Sequence, residues 1–139
     1  MAMIGIIVTG HGEFAKGIGQ ATKMIAGPQE AFEIVPFQED ESIEELRTHL
    51  ISTVDSLKKE TEGLVICVDL MGGSPFKEAI NLAKLDDTIE VVVGINLPSL
   101  IEEVMLRQFS KSPKDLAKRA VESGKTAIQN VKNNDTFTL

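Results

Sequence analysis

The chain has no Trp and no Tyr, and its only aromatic residues are six Phe among 139 residues. A lectin-like platform that stacks sugar rings on aromatic faces is therefore excluded. One cysteine, Cys67, permits no internal disulfide. No run of about 18 apolar residues occurs, which excludes a transmembrane helix. Basic residues are outnumbered: 14 Lys and Arg against 21 Asp and Glu give a net charge of −7. Nucleic-acid binding needs a basic face to displace phosphate counterions, so this balance argues against it. The Walker pattern G-x-x-x-x-G-K-[ST] and the dinucleotide pattern G-x-G-x-x-G are both missing, as is any metal-ligand cluster at sensible spacing. The apolar N-terminus MAMIGIIVTGHG lacks the basic flank and cleavage site of a signal peptide. What is there suffices for a core: 42% of residues are hydrophobic and 25% charged. The expectation is one cytoplasmic domain over residues 1–139, with no cofactor and no metal.

Two hydrophobic periods alternate along the chain. Ile4–Val8, Gly63–Val68 and Ile89–Ile95 are short continuous apolar runs, the mark of strands buried on both faces. Ala31–Phe37 alternates, and Pro36 assigns it to a sheet edge. Between the runs the spacing turns helical. Phe14, Ile18, Ala21 and Ile25 form one stripe, closed by Gly27-Pro28. Ile43, Leu46, Leu50, Val54 and Leu57 form the next, opened by a Ser42/Glu45 capping box. Ser74-Pro75 reads as N-cap and first turn of a third helix. Pro98 and Ser112-Pro113 open two more, the last carrying Leu116, Ala120, Val121, Ile128 and Val131. Thr136–Leu139 is a candidate short strand. The order predicts an α/β fold: a mostly parallel, doubly wound open sheet, flavodoxin-like in its strand order 2-1-3-4.

In that order the ligand site lies at the carboxyl ends of strands one and three. The two loops there are Thr9-Gly10-His11-Gly12 and Asp69-Leu70-Met71-Gly72-Gly73-Ser74. Flanking glycines let a reacting group approach His11 closely. A neutral imidazole is a nucleophile near pH 7, provided an acceptor holds its other nitrogen. Asp69 is the natural holder, and it would offset the charge that develops on the ring. Gly72, Gly73 and Ser74 lead into a helix whose N-terminal N–H groups suit a phosphoryl group. The same residues also make sense as a turn and a cap alone. His49 is assigned a structural place near the apolar face of the second helix. Cys67 is assigned an inert place in the core, and Glu39, Asp40, Glu41, Glu44 and Glu45 a solvated one. Leu70, Met71 and Phe14 either form a docking patch beside the site or pack beneath its loop.

These segments resemble a known family. Ile6–Gly12, with Val68-Asp69-Leu70-Met71-Gly72-Gly73-Ser74-Pro75-Phe76 and Gly94-Ile95-Asn96-Leu97-Pro98, is similar to the IIA component of the mannose-type phosphoenolpyruvate-dependent sugar phosphotransferase system. The resemblance implies that His11 takes a phosphoryl group from the phosphorylated histidine phosphocarrier protein and hands it to a separate IIB component. It implies that Asp69 partners the histidine and that Ser74 stands near the phosphate. It also implies a homodimer in which a C-terminal strand, here Thr136–Leu139, crosses to the partner. Some members carry Thr where this chain has Gly10, and an aromatic where it has Met71. Relay chemistry fits the residues independently, because a carrier needs a reversible acceptor rather than a tight pocket, and no Arg cluster adjoins His11.

Three other readings compete. The phosphocarrier subunit of a dihydroxyacetone kinase would use a similar fold. A histidine phosphatase would need nearby arginines and a second histidine. A regulatory domain on the same fold would never phosphorylate His11.

Overall fold

The computed structural model describes residues 3–133. Four strands, β1 (Met3–His11), β2 (Phe32–Phe37), β3 (Thr61–Val68) and β4 (Ile89–Val93), alternate with five helices. These are α1 (Phe14–Ala26), α2 (Ile43–Lys58), α3 (Ser74–Leu85), α4 (Leu97–Leu106) and α5 (Pro113–Ala127). The strands form one sheet in the order β2-β1-β3-β4. Every pairing is parallel, with Thr9 opposite both Val35 and Val68. The expected architecture is therefore the observed one. The candidate strand at 136–139 lies outside the described residues.

The apolar runs of β1 and β3 are buried because helices cover both faces of the sheet. On one face Ile4, Ile6, Val8, Val65 and Cys67 pack with Leu100, Val104 and Leu116 of α4 and α5. On the other, Ile7, Leu64, Ile66 and Val68 meet Leu46, Leu50 and Val54 of α2 and Ala79 of α3. Pro36, which has no N–H, lies in edge strand β2, where only one flank needs pairing.

Several boundaries differ from the pattern reading. The inward stripe of α2 begins at Leu46, leaving Ile43 about half exposed. His49 is exposed rather than near the apolar face, since Leu46 and Leu50 take the inward positions. Ile25 at the end of α1 is also exposed, while Ala15, Gly19 and Thr22 point inward. The small Gly19 suits its place, because a Cβ there would stand 2.6 Å from Ile34 Cδ1. Helix α5 stops at Ala127, so Ile128 and Val131 lie beyond it and are exposed. A second capping box, Asn96 with Ser99, starts α4 one residue before Pro98.

Two buried charged residues brace the α4 side. Arg107 donates to the carbonyls of Ile4 (3.3 Å) and Ala31 (3.1 Å), to Glu30 O and to Gln29 Oε1. It thereby pins the turn into β2, where Ala31 takes a left-handed φ of 48°. Glu103 is fully buried, and its Oε2 accepts from Cys67 Sγ at 3.1 Å.

Candidate functional site

Strands β1 and β3 are neighbours, so their carboxyl ends deliver His11 and Asp69 to one point of the sheet rim. His11 Nδ1 lies 2.8 Å from Asp69 Oδ2. The same oxygen accepts the His11 backbone N–H at 2.9 Å, and Oδ1 accepts the N–H of Leu70 at 2.9 Å. Two backbone donors thus hold the carboxylate, and the carboxylate holds the ring. An ionised Asp69 only accepts, so Nδ1 carries the hydrogen and Nε2 presents a lone pair. The side chains differ in access: His11 is 47% exposed and Asp69 9%. The imidazole faces the solvent while its carboxylate partner is shielded.

The absence of side chains at two glycines makes this geometry possible. A Cβ at Gly10 would stand 2.9 Å from Asp69 Cβ and Cγ and from Phe14 Cδ2. Position 10 therefore takes no larger side chain unless Asp69 or Phe14 moves. A Cβ at Gly73 would stand 2.6 Å from His11 Cε1 and 3.1 Å from Nε2. Gly73 is thus the floor against which the Cε1 side of the imidazole rests.

Gly73 is also the N-cap of α3, in place of Ser74. Its extended backbone (φ −77°, ψ 175°) lets the chain enter the helix at Ser74, one residue earlier than the Ser-Pro pattern implies. No side chain caps this helix start, so its first-turn N–H groups face the rim without a side-chain acceptor. Pro75, at the second position, has no N–H to satisfy. Ser74 is half-buried in that first turn, and Gly72 turns the preceding loop with φ 89°. The five sequence-nominated residues accordingly lie at this rim: His11 ends β1, Asp69, Gly72 and Gly73 form the loop after β3, and Ser74 opens α3.

Phe37 was not singled out by its sequence context. Its ring centroid lies 6.0 Å from that of His11, at an interplanar angle of 64°. Its carbonyl accepts the N–H of Gly12 at 2.8 Å. The signal that could have found it is register: in a 2-1-3-4 sheet the last residue of β2 falls opposite the last of β1, and here Phe37 pairs with His11. Leu70 and Met71, in the loop after Asp69, are exposed, at 49% and 66%. Phe14 instead packs beneath, against the core. Among the described residues no Lys or Arg pairs with Asp69, and no group of three His, Cys, Asp or Glu could hold a metal.

This arrangement can present one oriented nucleophilic nitrogen to a visitor, with an anion-friendly helix end alongside. Comparison with known proteins identifies the family. The family profile EIIA-man, described as the PTS system fructose IIA component, matches residues 5–121. The chain is 32% identical over 106 residues to the PTS system fructose-specific EIIA component of Bacillus subtilis, covering 76% of this chain and 72% of that one. It is 30% identical over 132 residues to the PTS system mannose-specific EIIAB component of Escherichia coli, covering 93% of this chain but only 40% of that longer protein. The crystal structure of phosphotransferase system component EIIA from Streptococcus agalactiae superposes with a TM-score of 0.87 at 29% identity, covering 95% of this chain and all of that one.

Proposed function

The chain belongs to the mannose-type EIIA family, whose members carry out phosphoryl transfer in sugar phosphotransferase systems, and from that premise we propose that His11 is its phosphoryl acceptor and donor. In the forward step the Nε2 lone pair attacks phosphorus on the phosphohistidine of the histidine phosphocarrier protein. The P–N bond to the donor breaks, and its electron pair returns to the donor imidazole. Nδ1 keeps its hydrogen throughout, and the Asp69 carboxylate offsets the positive charge gained by the ring. First-turn N–H groups of α3, with the Ser74 hydroxyl, receive the phosphoryl oxygens. The second step repeats this chemistry with a IIB component as acceptor. The reading sets the protein in the cytoplasm, as a homodimer, with no cofactor.

The observation that carries the proposal is the 2.8 Å contact between Nδ1 and Asp69, which leaves Nε2 free on the exposed side. A site built for relay must release phosphate as readily as it takes it. One carboxylate on the far nitrogen and a few N–H groups, without a paired cation, meet that requirement. A histidine phosphatase would need the second histidine, yet His49 lies exposed on α2 rather than in the two rim loops.

The test mixes the protein with phosphoenolpyruvate, the first enzyme of the system and the carrier protein, and reads phosphate by mass spectrometry. Wild type should gain one phosphoryl group and His11→Ala none, with the circular dichroism of the variant unchanged. Labelling of His11→Ala would refute the assignment. Offering the phosphorylated protein to a sugar-system IIB and to a dihydroxyacetone-binding subunit then identifies the acceptor: discharge by the first alone is expected.

A further inference from the structure

We propose that Phe37 is a positioning residue for His11: its ring walls the imidazole so that Nδ1 stays on Asp69 and Nε2 stays over Gly73. This rests on the relay reading above and adds to it a residue of β2, a strand that contributes no other group to the site.

The argument begins with the limits of the Asp69 contact. Oδ2 is shared, accepting the ring Nδ1–H at 2.8 Å and the His11 backbone N–H at 2.9 Å. One shared oxygen fixes a hydrogen-bond direction but not the plane of the ring. Nearly half of the His11 side chain is exposed, so solvent offers competing partners on the open side. Gly73 lies along the Cε1 side of the ring, where an added Cβ would stand 2.6 Å from Cε1. The flank toward β2 is closed by Phe37, in an edge-type contact at 6.0 Å and 64°. Carboxylate, glycine floor and aromatic wall together define one rotamer. Without the wall the ring gains a rotamer that leaves Asp69, and only the fraction still aligned can react.

Phe37 is itself placed by backbone rather than by its ring. It pairs in register with His11, and its carbonyl takes the Gly12 N–H at 2.8 Å. Its side chain lies half-buried against the cluster shared with α2. Changing the side chain therefore leaves the strand ending where it is. Phe37→Leu removes the ring but keeps apolar bulk, and Phe37→Tyr restores the ring.

Rapid-quench transfer from the phosphorylated carrier protein, measured across donor concentrations, tests the role. Phe37→Leu should lower the rate at saturating donor about tenfold, while the half-saturating donor concentration stays within about twofold of wild type. Phe37→Tyr should recover most of that rate. In parallel, ¹⁵N NMR of the His11 ring should show a predominantly Nδ1–H tautomer in wild type and in Phe37→Tyr, and a more even mixture in Phe37→Leu. An unchanged rate in Phe37→Leu, or a loss confined to the half-saturating concentration, would overturn the positioning role. If wild-type protein accepted no phosphoryl group, the relay reading would fail first. The NMR comparison would then decide the positioning claim alone, with identical tautomer ratios in all three proteins counting against it.

Discussion

A single added methyl group at Gly73 would collide with the imidazole of His11. Gly73 has backbone angles that Ala adopts without strain, but its added Cβ would meet Cε1 at 2.6 Å. Gly73→Ala should therefore displace the imidazole and reduce phosphoryl uptake severely. Its cost in stability should stay below about 1 kcal/mol, since only a glycine N-cap is lost. Labelling and a thermal melt on the same sample check both halves, and a variant that labels at the wild-type rate would show that the floor can yield. At this scale the meeting of His11 with Asp69, and the glycine loop beside them, were legible, because His11 and Asp69 end apolar runs that a parallel sheet aligns. What was not legible was which glycine serves which purpose. Gly10 and Gly73 both exclude a Cβ, one beneath Asp69 and one beneath His11, and only coordinates separate these from turn glycines. Phe37 was hidden for a related reason: a half-buried Phe at a strand end reads as core until register sets it opposite His11.

Among the elements, the punctuation read most clearly was the chemical kind. Ser42 and Glu45 form the capping box their spacing announces, with Ser42 Oγ accepting the Glu45 N–H at 3.1 Å and Glu45 Oε1 the Ser42 N–H at 3.1 Å. Ser42→Ala should cost about 1 kcal/mol in chemical denaturation, the usual loss for such a cap. It should leave phosphoryl uptake unchanged, because α2 supplies no group to the rim; a drop in uptake at full folding would link α2 to the site. The Ser74 pattern misled by one position for a physical reason. Ser-Pro fits N-cap and N1, but Gly73 must lie flat against the imidazole, and its extended backbone takes the cap. Stripe ends misled too, since Ile25 and Ile43 continue the helical period past the sheet that would cover them. Asn96 with Ser99 was missed because Pro98 drew the boundary toward itself.

For the whole molecule, alternating periods carried the architecture, and the observed order β2-β1-β3-β4 is the common one for a doubly wound sheet of this kind. The buried polar network was invisible in sequence, because Glu103 and Arg107 look like ordinary surface residues of an amphipathic helix. Burial pushes the Glu103 carboxyl up to about 8, against the opposing pull of the Cys67 hydrogen bond and the Arg107 charge. The unfolded chain releases this proton near 4.5, its ordinary value. Below that pH both states hold the proton, and the contribution to stability is complete. From there to about 8 only the folded state holds it, so stability falls as pH rises, by on the order of 1 kcal/mol per pH unit, and the loss is complete above 8. Glu103→Gln should flatten this slope and raise the melting point most at pH 8 to 9; parallel slopes in the two proteins would mean that Glu103 ionises normally in the fold. The fold's central consequence is nonetheless at the rim, where two strand ends commit one imidazole nitrogen to Asp69 and leave the other free. ³¹P–¹⁵N NMR of the phosphorylated protein, labelled at histidine, tests that directly. The phosphorus should couple to Nε2 of His11 with Nδ1 still protonated; coupling to Nδ1, or phosphate on any other residue, would contradict the account.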